Sequence, residues 1–202
     1  MPLSFEKFLE GKGEAINLMF EERLFGRFEL LHKVADMLAS ERIPYEVVGG
    51  MAVNIQIERV DPDEMMVTRD VDIMVSRADI ARIQEAAPRH GFEFRHTAGL
   101  DMLLYGGEKK AARGVHLIFS GEKVGPDQME NPTLAPEEIT VYDKEIPVIR
   151  VADLVRMKLN AFRDKDRVHV RAMDSVGLIT AEVEDKLPTA LRDRLRHVRA
   201  TL

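Results

Sequence analysis

The chain has 202 residues, 45% of them hydrophobic, and a formal net charge of −6, enough for one good-sized core or one core with a small helical appendage. It contains no cysteine, no tryptophan and three tyrosines, which excludes disulfides, thiol catalysis and cysteine-type zinc sites and argues against a broad aromatic platform for single-stranded nucleic acid. No apolar run approaches the ~20 residues that span a bilayer, and Met1-Pro2-Leu3-Ser4-Phe5-Glu6-Lys7 lacks the basic start and apolar core of a secretory signal, so a cytoplasmic protein without a membrane partner is expected.

In chain order, Leu24, Phe28, Leu31, Ala35 and Leu38 recur at helical spacing and predict a helix that covers a sheet, with Glu10-Gly11-Lys12-Gly13 setting it off from a shorter leading helix. Tyr45-Glu46-Val47-Val48 reads as a short strand running into Gly49-Gly50, and Met51 to Glu58 as a short helix leaving them. Val60-Asp61-Pro62-Asp63-Glu64 reads as a loop reaching over the site. Val71-Asp72-Ile73-Met74-Val75 is a strand. Ser76 can cap the helix that follows, with Asp79 as a weak capping-box partner, and Pro88 to Gly91 ends it.

Strand-like periodicity then runs through Phe92 to Arg95, Met102 to Tyr105 and Val115 to Phe119, which implies a mixed sheet. Val124 to Pro136, with Pro126, Pro132 and Pro136, is an irregular excursion. A short strand pair follows, Ile139 to Tyr142 and Ile146 to Ile149, with its turn at Asp143-Lys144. Helices are predicted over Val151 to Phe162, Asp164 to Ile179 and about Pro188 to Arg199. The reading is α+β, a mixed sheet flanked by helices, organised as an N-terminal helical segment (1–40), a core (41–150) and a C-terminal helical segment (151–202). Residues 150–202 have 12 basic and 8 acidic side chains against 17 and 27 in residues 1–149. Such a positive segment is either a solvated helical face or a place for a triphosphate or an RNA.

The chemistry concentrates in two places. Gly49-Gly50 puts backbone N–H groups at a helix N-terminus, where unpaired donors and partial positive charge can hold a phosphate. Asp70 and Asp72 stand two apart at a strand, on one face, and can hold one or two hard divalent cations whose shells are completed by phosphate oxygens and water.

In that order these residues resemble the minimal nucleotidyltransferase superfamily, especially the small bacterial AbiEii-like proteins and related antitoxin or toxin types. The resemblance rests on Val48-Gly49-Gly50-Met51-Ala52, on Thr68-Arg69-Asp70-Val71-Asp72-Ile73 and on Lys158-Leu159-Asn160-Ala161-Phe162-Arg163-Asp164-Lys165-Asp166, and it spans roughly Tyr45 to Met173. It implies a nucleoside triphosphate as partner, Mg2+ or Mn2+ on Asp70 and Asp72, and nucleotide contacts from Gly49, Gly50, Thr68, Arg69, Lys158 and Lys165. It further implies transfer of NMP to a hydroxyl of an RNA end, a protein or a small molecule. Lys158, Phe162, Lys165 and His169 fall on one helical stripe that can face phosphates, or else belong to a surface of ion pairs such as those of Arg163, Asp166 and Arg167.

The sequence departs from the family pattern twice. His116 stands on the strand where a third carboxylate is expected, and His169 where related sequences tend to have another acid. If the strand is aligned correctly, His116 is a neutral general base, or the site holds one metal, or transfer activity is lost; imidazole is a poor magnesium ligand and shifts preference toward manganese or a softer ion. Two other classes stay open: a degenerate fold that binds nucleotide or a protein partner as an antitoxin or sensor, and an RNA-binding adaptor resting on the positive C-terminal segment. His32, His90, His96 and His197 read as ordinary residues, and Met65-Met66 as core filling.

Overall fold

The computed structural model describes residues 18–201 except Val67, Arg69, Ala111 and Ala112. The leading-helix expectation at residues 1–17 and the nucleotide-binding expectation at Arg69 therefore lie outside the described residues. The first element, α1 (Leu18–Ser40), buries the expected stripe: Leu24, Phe28, Leu31, Ala35 and Leu38 are all shielded from solvent. It packs against the sheet at β2 (Val71–Val75) and β5 (Val115–Phe119).

The sheet has seven strands among the described residues, in the order β3-β4-β5-β2-β1-β7-β6, where β1 is Tyr45–Val48, β3 Phe92–Thr97, β4 Leu100–Tyr105, β6 Glu137–Val141 and β7 Lys144–Val148. β1 is fully buried between antiparallel β2 and parallel β7. β2 and β5 run parallel, and their alternation decides what faces what. Val71, Ile73, Val75, Val115, Leu117 and Phe119 are buried, while Asp72, His116 and Ile118 open onto a cleft. The mixed α+β architecture expected from the sequence is thus present.

Helix α2 (Gly49–Glu58) leaves β1 directly and packs against β1, β2 and two C-terminal helices, α4 (Val151–Ala161) and α5 (Asp164–Ser175). The intervening α3 is Ile80–Ala86, and α6 (Ala181–Asp185) and α7 (Thr189–Ala200) complete the chain. Asn54 of α2 anchors the loop before the carboxylates, donating to the Met66 carbonyl at 2.7 Å and accepting the Met66 N–H at 3.0 Å. No helix among the described residues is long and apolar enough to cross a membrane.

Four local expectations change. Residues 60–64 form a short 3₁₀ turn at Pro62–Glu64, capped by Asp61, and none of them lines the cleft. Ser76 caps as expected by accepting the Ala78 N–H, but Asp79 turns its carboxylate to Arg82 at 2.7 Å instead of closing a capping box. The helix expected to reach Ile179 stops at Ser175, because Gly177 takes a φ of +79°. Finally, the lysine stripe is not one continuous helix: Phe162 adopts the left-handed conformation at φ +52°, donating its N–H to the Lys158 carbonyl, and α5 begins two residues later.

Candidate active site

Gly49 is required twice over. Its φ is +69°, and a Cβ there would lie 1.9 Å from Asp72 Oδ2. A Cβ on Gly50 would lie 2.6 Å from Thr68 Oγ1. The start of α2 is therefore pressed against the carboxylate strand, and only glycines allow that approach. Thr68 is buried and donates to the Asp70 carbonyl at 3.2 Å, which fixes the turn that presents Asp70.

Across the β2–β5 pair, Asp72 and His116 are direct partners. His116 Nδ1 lies 3.3 Å from Asp72 Oδ1 and 3.4 Å from Asp70 Oδ2. One ligand atom from each of the three residues falls within 4.8 Å of the others. Hydrogen bonding from His116 is the main influence that holds the Asp70 carboxyl below its ordinary range, outweighing burial, with the charge of Lys165 contributing. Two carboxylates and one imidazole, at the start of β2 and on β5, could hold a divalent cation.

The Lys158 to Asp166 segment forms a helix end, a turn and a helix start built around one carboxylate. Asp166 is fully buried. It accepts from Arg163 Nε at 2.6 Å and from the Arg163 backbone N–H at 3.2 Å, and its other oxygen lies 3.5 Å from Lys158 Nζ. Burial raises the Asp166 carboxyl, but the Arg163 bonds and the Lys158 charge outweigh it and leave it below its ordinary value. Lys158, only 6% exposed, is pushed down by burial against the pull of Asp166 and Asp72.

Despite the break at Phe162, Lys158, Lys165 and His169 all line the same cleft as Gly49, Gly50, Thr68, Asp70, Asp72 and His116. Its volume is about 680 Å³, within the range of small-molecule sites. His169 packs beneath Gly50, with Nδ1 buried and lacking a hydrogen-bond partner among the described residues. Burial, then the charge of Lys158, depresses its imidazole to about 4, so it is neutral at physiological pH.

Sequence reasoning missed the far wall of the cleft. Val124, Gln128 and Asn131 of the proline-containing excursion line it, together with Leu100, Ile118, Leu154 and Met157. The segment is held in place: the Asn160 side chain accepts the Met129 N–H at 3.0 Å and donates to the Met129 carbonyl at 2.9 Å, Glu46 accepts the Ala135 N–H, and Asn131 donates to the Phe119 carbonyl. The available signal was its position, directly after β5, the strand that brings His116 and Ile118 to the cleft.

No family model matches the sequence, and no curated protein matches it. Solved structures match by shape. ANT(2")-Ia in complex with adenylyl-2"-tobramycin aligns at a TM-score of 0.56 with 14% identity, covering 83% of this chain and 95% of that one. An antigenic nucleotidyltransferase-like protein from Paracoccidioides brasiliensis aligns at 0.56 with 15% identity over 87% of each chain. The fold is nucleotidyltransferase-like. The lincosamide antibiotic adenylyltransferase LnuA, lincomycin-bound, aligns at 0.51 with 12% identity, covering 73% of this chain and 96% of that one. At these identities the likeness is one of fold alone, and it does not single out the AbiEii-like type. Within the nucleotidyltransferase-like fold, the cluster of Asp70, Asp72 and His116 sits beside the glycine turn.

Proposed function

We propose that this chain is a metal-dependent nucleotidyltransferase that moves NMP from a nucleoside triphosphate to a hydroxyl acceptor, an RNA end, a protein or a small molecule. The observation that carries the reading is the Asp70, Asp72 and His116 cluster abutting Gly49 at the N-terminus of α2. A divalent cation held by Asp70 and Asp72 would neutralise charge on the α-phosphate and the leaving pyrophosphate, keeping the His116 lone pair for the acceptor proton. The N-terminal N–H groups of α2 and the ammonium groups of Lys158 and Lys165 would hold the phosphates, and the family resemblance gives Arg69 the same role. The acceptor oxygen bonds to the α-phosphorus, the bond from that phosphorus to the bridging oxygen breaks, pyrophosphate leaves, and His116 takes the hydroxyl proton. A nucleoside triphosphate as substrate is consistent with a cytoplasmic protein.

A second reading has its own observation. His116 replaces the expected third carboxylate and its Nδ1 is turned to both aspartates, which suits a degenerate member that binds nucleotide or a protein partner, as an antitoxin or sensor, without turnover. The RNA-adaptor reading rests on the positive C-terminal segment, in which Arg194 caps the end of α4 through the Leu159 and Asn160 carbonyls and Arg199 pairs with Asp174 and Glu184.

Incubation with each α-labelled triphosphate, cell extract and either magnesium or manganese tests the proposal. Transfer of label that disappears in both Asp70→Asn and Asp72→Asn supports it. Triphosphate affinity unchanged in both variants, measured by calorimetry with metal present, overturns the assignment of the centre.

A further inference from the structure

The cleft is chemically divided, and the division follows the strands. Gly49 and Gly50 adjoin the start of β2, with Asp70 and Asp72 next along it. Ile118 stands one strand repeat, ~6.6 Å, beyond His116 on the same face of β5, on the side of the metal cluster away from the glycine turn. Among the described residues the cations that line the cleft, Lys158, Arg163 and Lys165, cluster at the end of α4, the turn after it and the start of α5. The apolar part of the lining carries no charged side chain among the described residues: Leu100, Ile118, Val124 and, earlier on α4 than Lys158, Leu154 and Met157, with the Gln128 amide. Of the five large apolar side chains exposed among the described residues, two, Leu100 and Val124, lie here.

We propose that the acceptor is a small, uncharged, hydroxyl-bearing molecule with an apolar body, seated between Leu100, Ile118, Val124, Leu154 and Met157. This rests on the nucleotidyl-transfer reading above and narrows it. Charge complementarity decides between acceptors. A polycation needs carboxylates on its own wall, but among the described residues the cleft has only Asp70 and Asp72 at the metal cluster and Asp166, already paired with Lys158 and Arg163. An RNA end needs cations along its backbone path and rings for its bases; the described cations cluster around Lys158, and no Phe or Tyr among the described residues lines the cleft. An uncharged apolar body loses water against this wall without stranding a charge, while Gln128 offers one donor and one acceptor to a polar group. The wall is preformed, because Asn160 and Glu46 hold the segment that supplies Val124 and Gln128.

The test is calorimetric binding to the full chain, with a non-hydrolysable triphosphate analogue and manganese present, of octyl β-glucoside below its micellar concentration, tobramycin and a six-nucleotide RNA. Octyl β-glucoside is expected to bind most tightly. Val124→Asp and Leu100→Asp, both at exposed positions, are expected to weaken it by tenfold or more while triphosphate affinity stays within twofold. Tighter binding of tobramycin or RNA, absence of glucoside binding, or glucoside binding unaltered in both variants overturns the proposal. Failure of the underlying function has a different signature: no triphosphate binding, with glucoside binding still present and still sensitive to Val124→Asp.

Discussion

Asp72 and His116 face each other across the parallel β2–β5 pair, with His116 Nδ1 3.3 Å from Asp72 Oδ1 and a similar distance from Asp70. This puts an imidazole where a carboxylate would complete a site for two hard cations. His116→Ala is expected to lower turnover by ~10²–10⁴-fold, the usual effect of losing a general base, while triphosphate affinity barely changes. His116→Asp is expected to shift metal preference from manganese toward magnesium. Steady-state rates in each metal check both. Should both variants match the wild type in rate and metal preference, His116 has no part in the chemistry.

Gly49→Ala is expected to destabilise the fold and abolish triphosphate binding together. The left-handed φ alone costs about 1 kcal/mol for a non-glycine residue, and the added Cβ would collide with the Asp72 carboxylate, so a total of about 2–4 kcal/mol is expected. Urea denaturation gives the stability, and calorimetry the binding. A variant with wild-type midpoint and affinity would show that the close approach of α2 to β2 is not maintained in solution.

Asp166→Ala is expected to cost about 3–5 kcal/mol, because it leaves the buried Lys158 ammonium without its carboxylate and releases Arg163 from the start of α5. Adding Lys158→Met should recover part of that loss, since the stranded charge is then gone. Thermal or urea unfolding of the two single variants and the double variant forms the cycle. Strict additivity would refute the coupling.

Glu46 sits on β1 with 1% of its surface exposed, one carboxylate oxygen bonded to the Ala135 N–H and the other without a hydrogen-bond partner among the described residues. Burial, aided by Asp153 and opposed by Arg150 and the Ala135 bond, pushes its carboxyl up from 4.5 to about 7. The folded state therefore holds a proton that the unfolded chain has lost between those values. Stability from this residue is complete below about 4.5, declines as pH rises and is gone above about 7, a difference on the order of 3 kcal/mol. Glu46→Gln keeps an acceptor for Ala135 and removes the ionisation, so it is expected to be more stable than the wild type at pH 8 and nearly equal at pH 4. Parallel unfolding curves for the two proteins at both values would show that Glu46 is solvated.

Periodicity and punctuation made most of the architecture legible. The α1 stripe, the strand into Gly49, the Val71–Val75 and Val115–Phe119 strands and the start of α5 at Asp164 are local consequences of side-chain spacing, glycine and helix-start residues. The Asp70, Asp72 and His116 set was readable because two of its members stand two apart at the start of a strand and the third lies on a strand of recognisable type. The stripe from Lys158 to His169 was read with helical continuity, and the left-handed Phe162 broke it. Fixed by the Lys158, Arg163 and Asp166 interactions, that turn returned Lys165 and His169 to the same cleft.

The sequence by itself therefore determined most element types, the apolar faces, the glycine turn after a strand and the spacing that puts two carboxylates on one face, since each of these depends on residues a few positions apart. Tertiary structure alone decided that Asp72 pairs with His116, that a Cβ at Gly49 would meet Asp72, and that the Val124 to Asn131 segment, not residues 60–64, walls the cleft. The reason is physical. Parallel pairing of β2 with β5 and the clamping of a loop by Asn160 and Glu46 join residues from 31 to 89 positions apart, and no local spacing rule encodes contacts whose cost is loop closure and whose gain is burial.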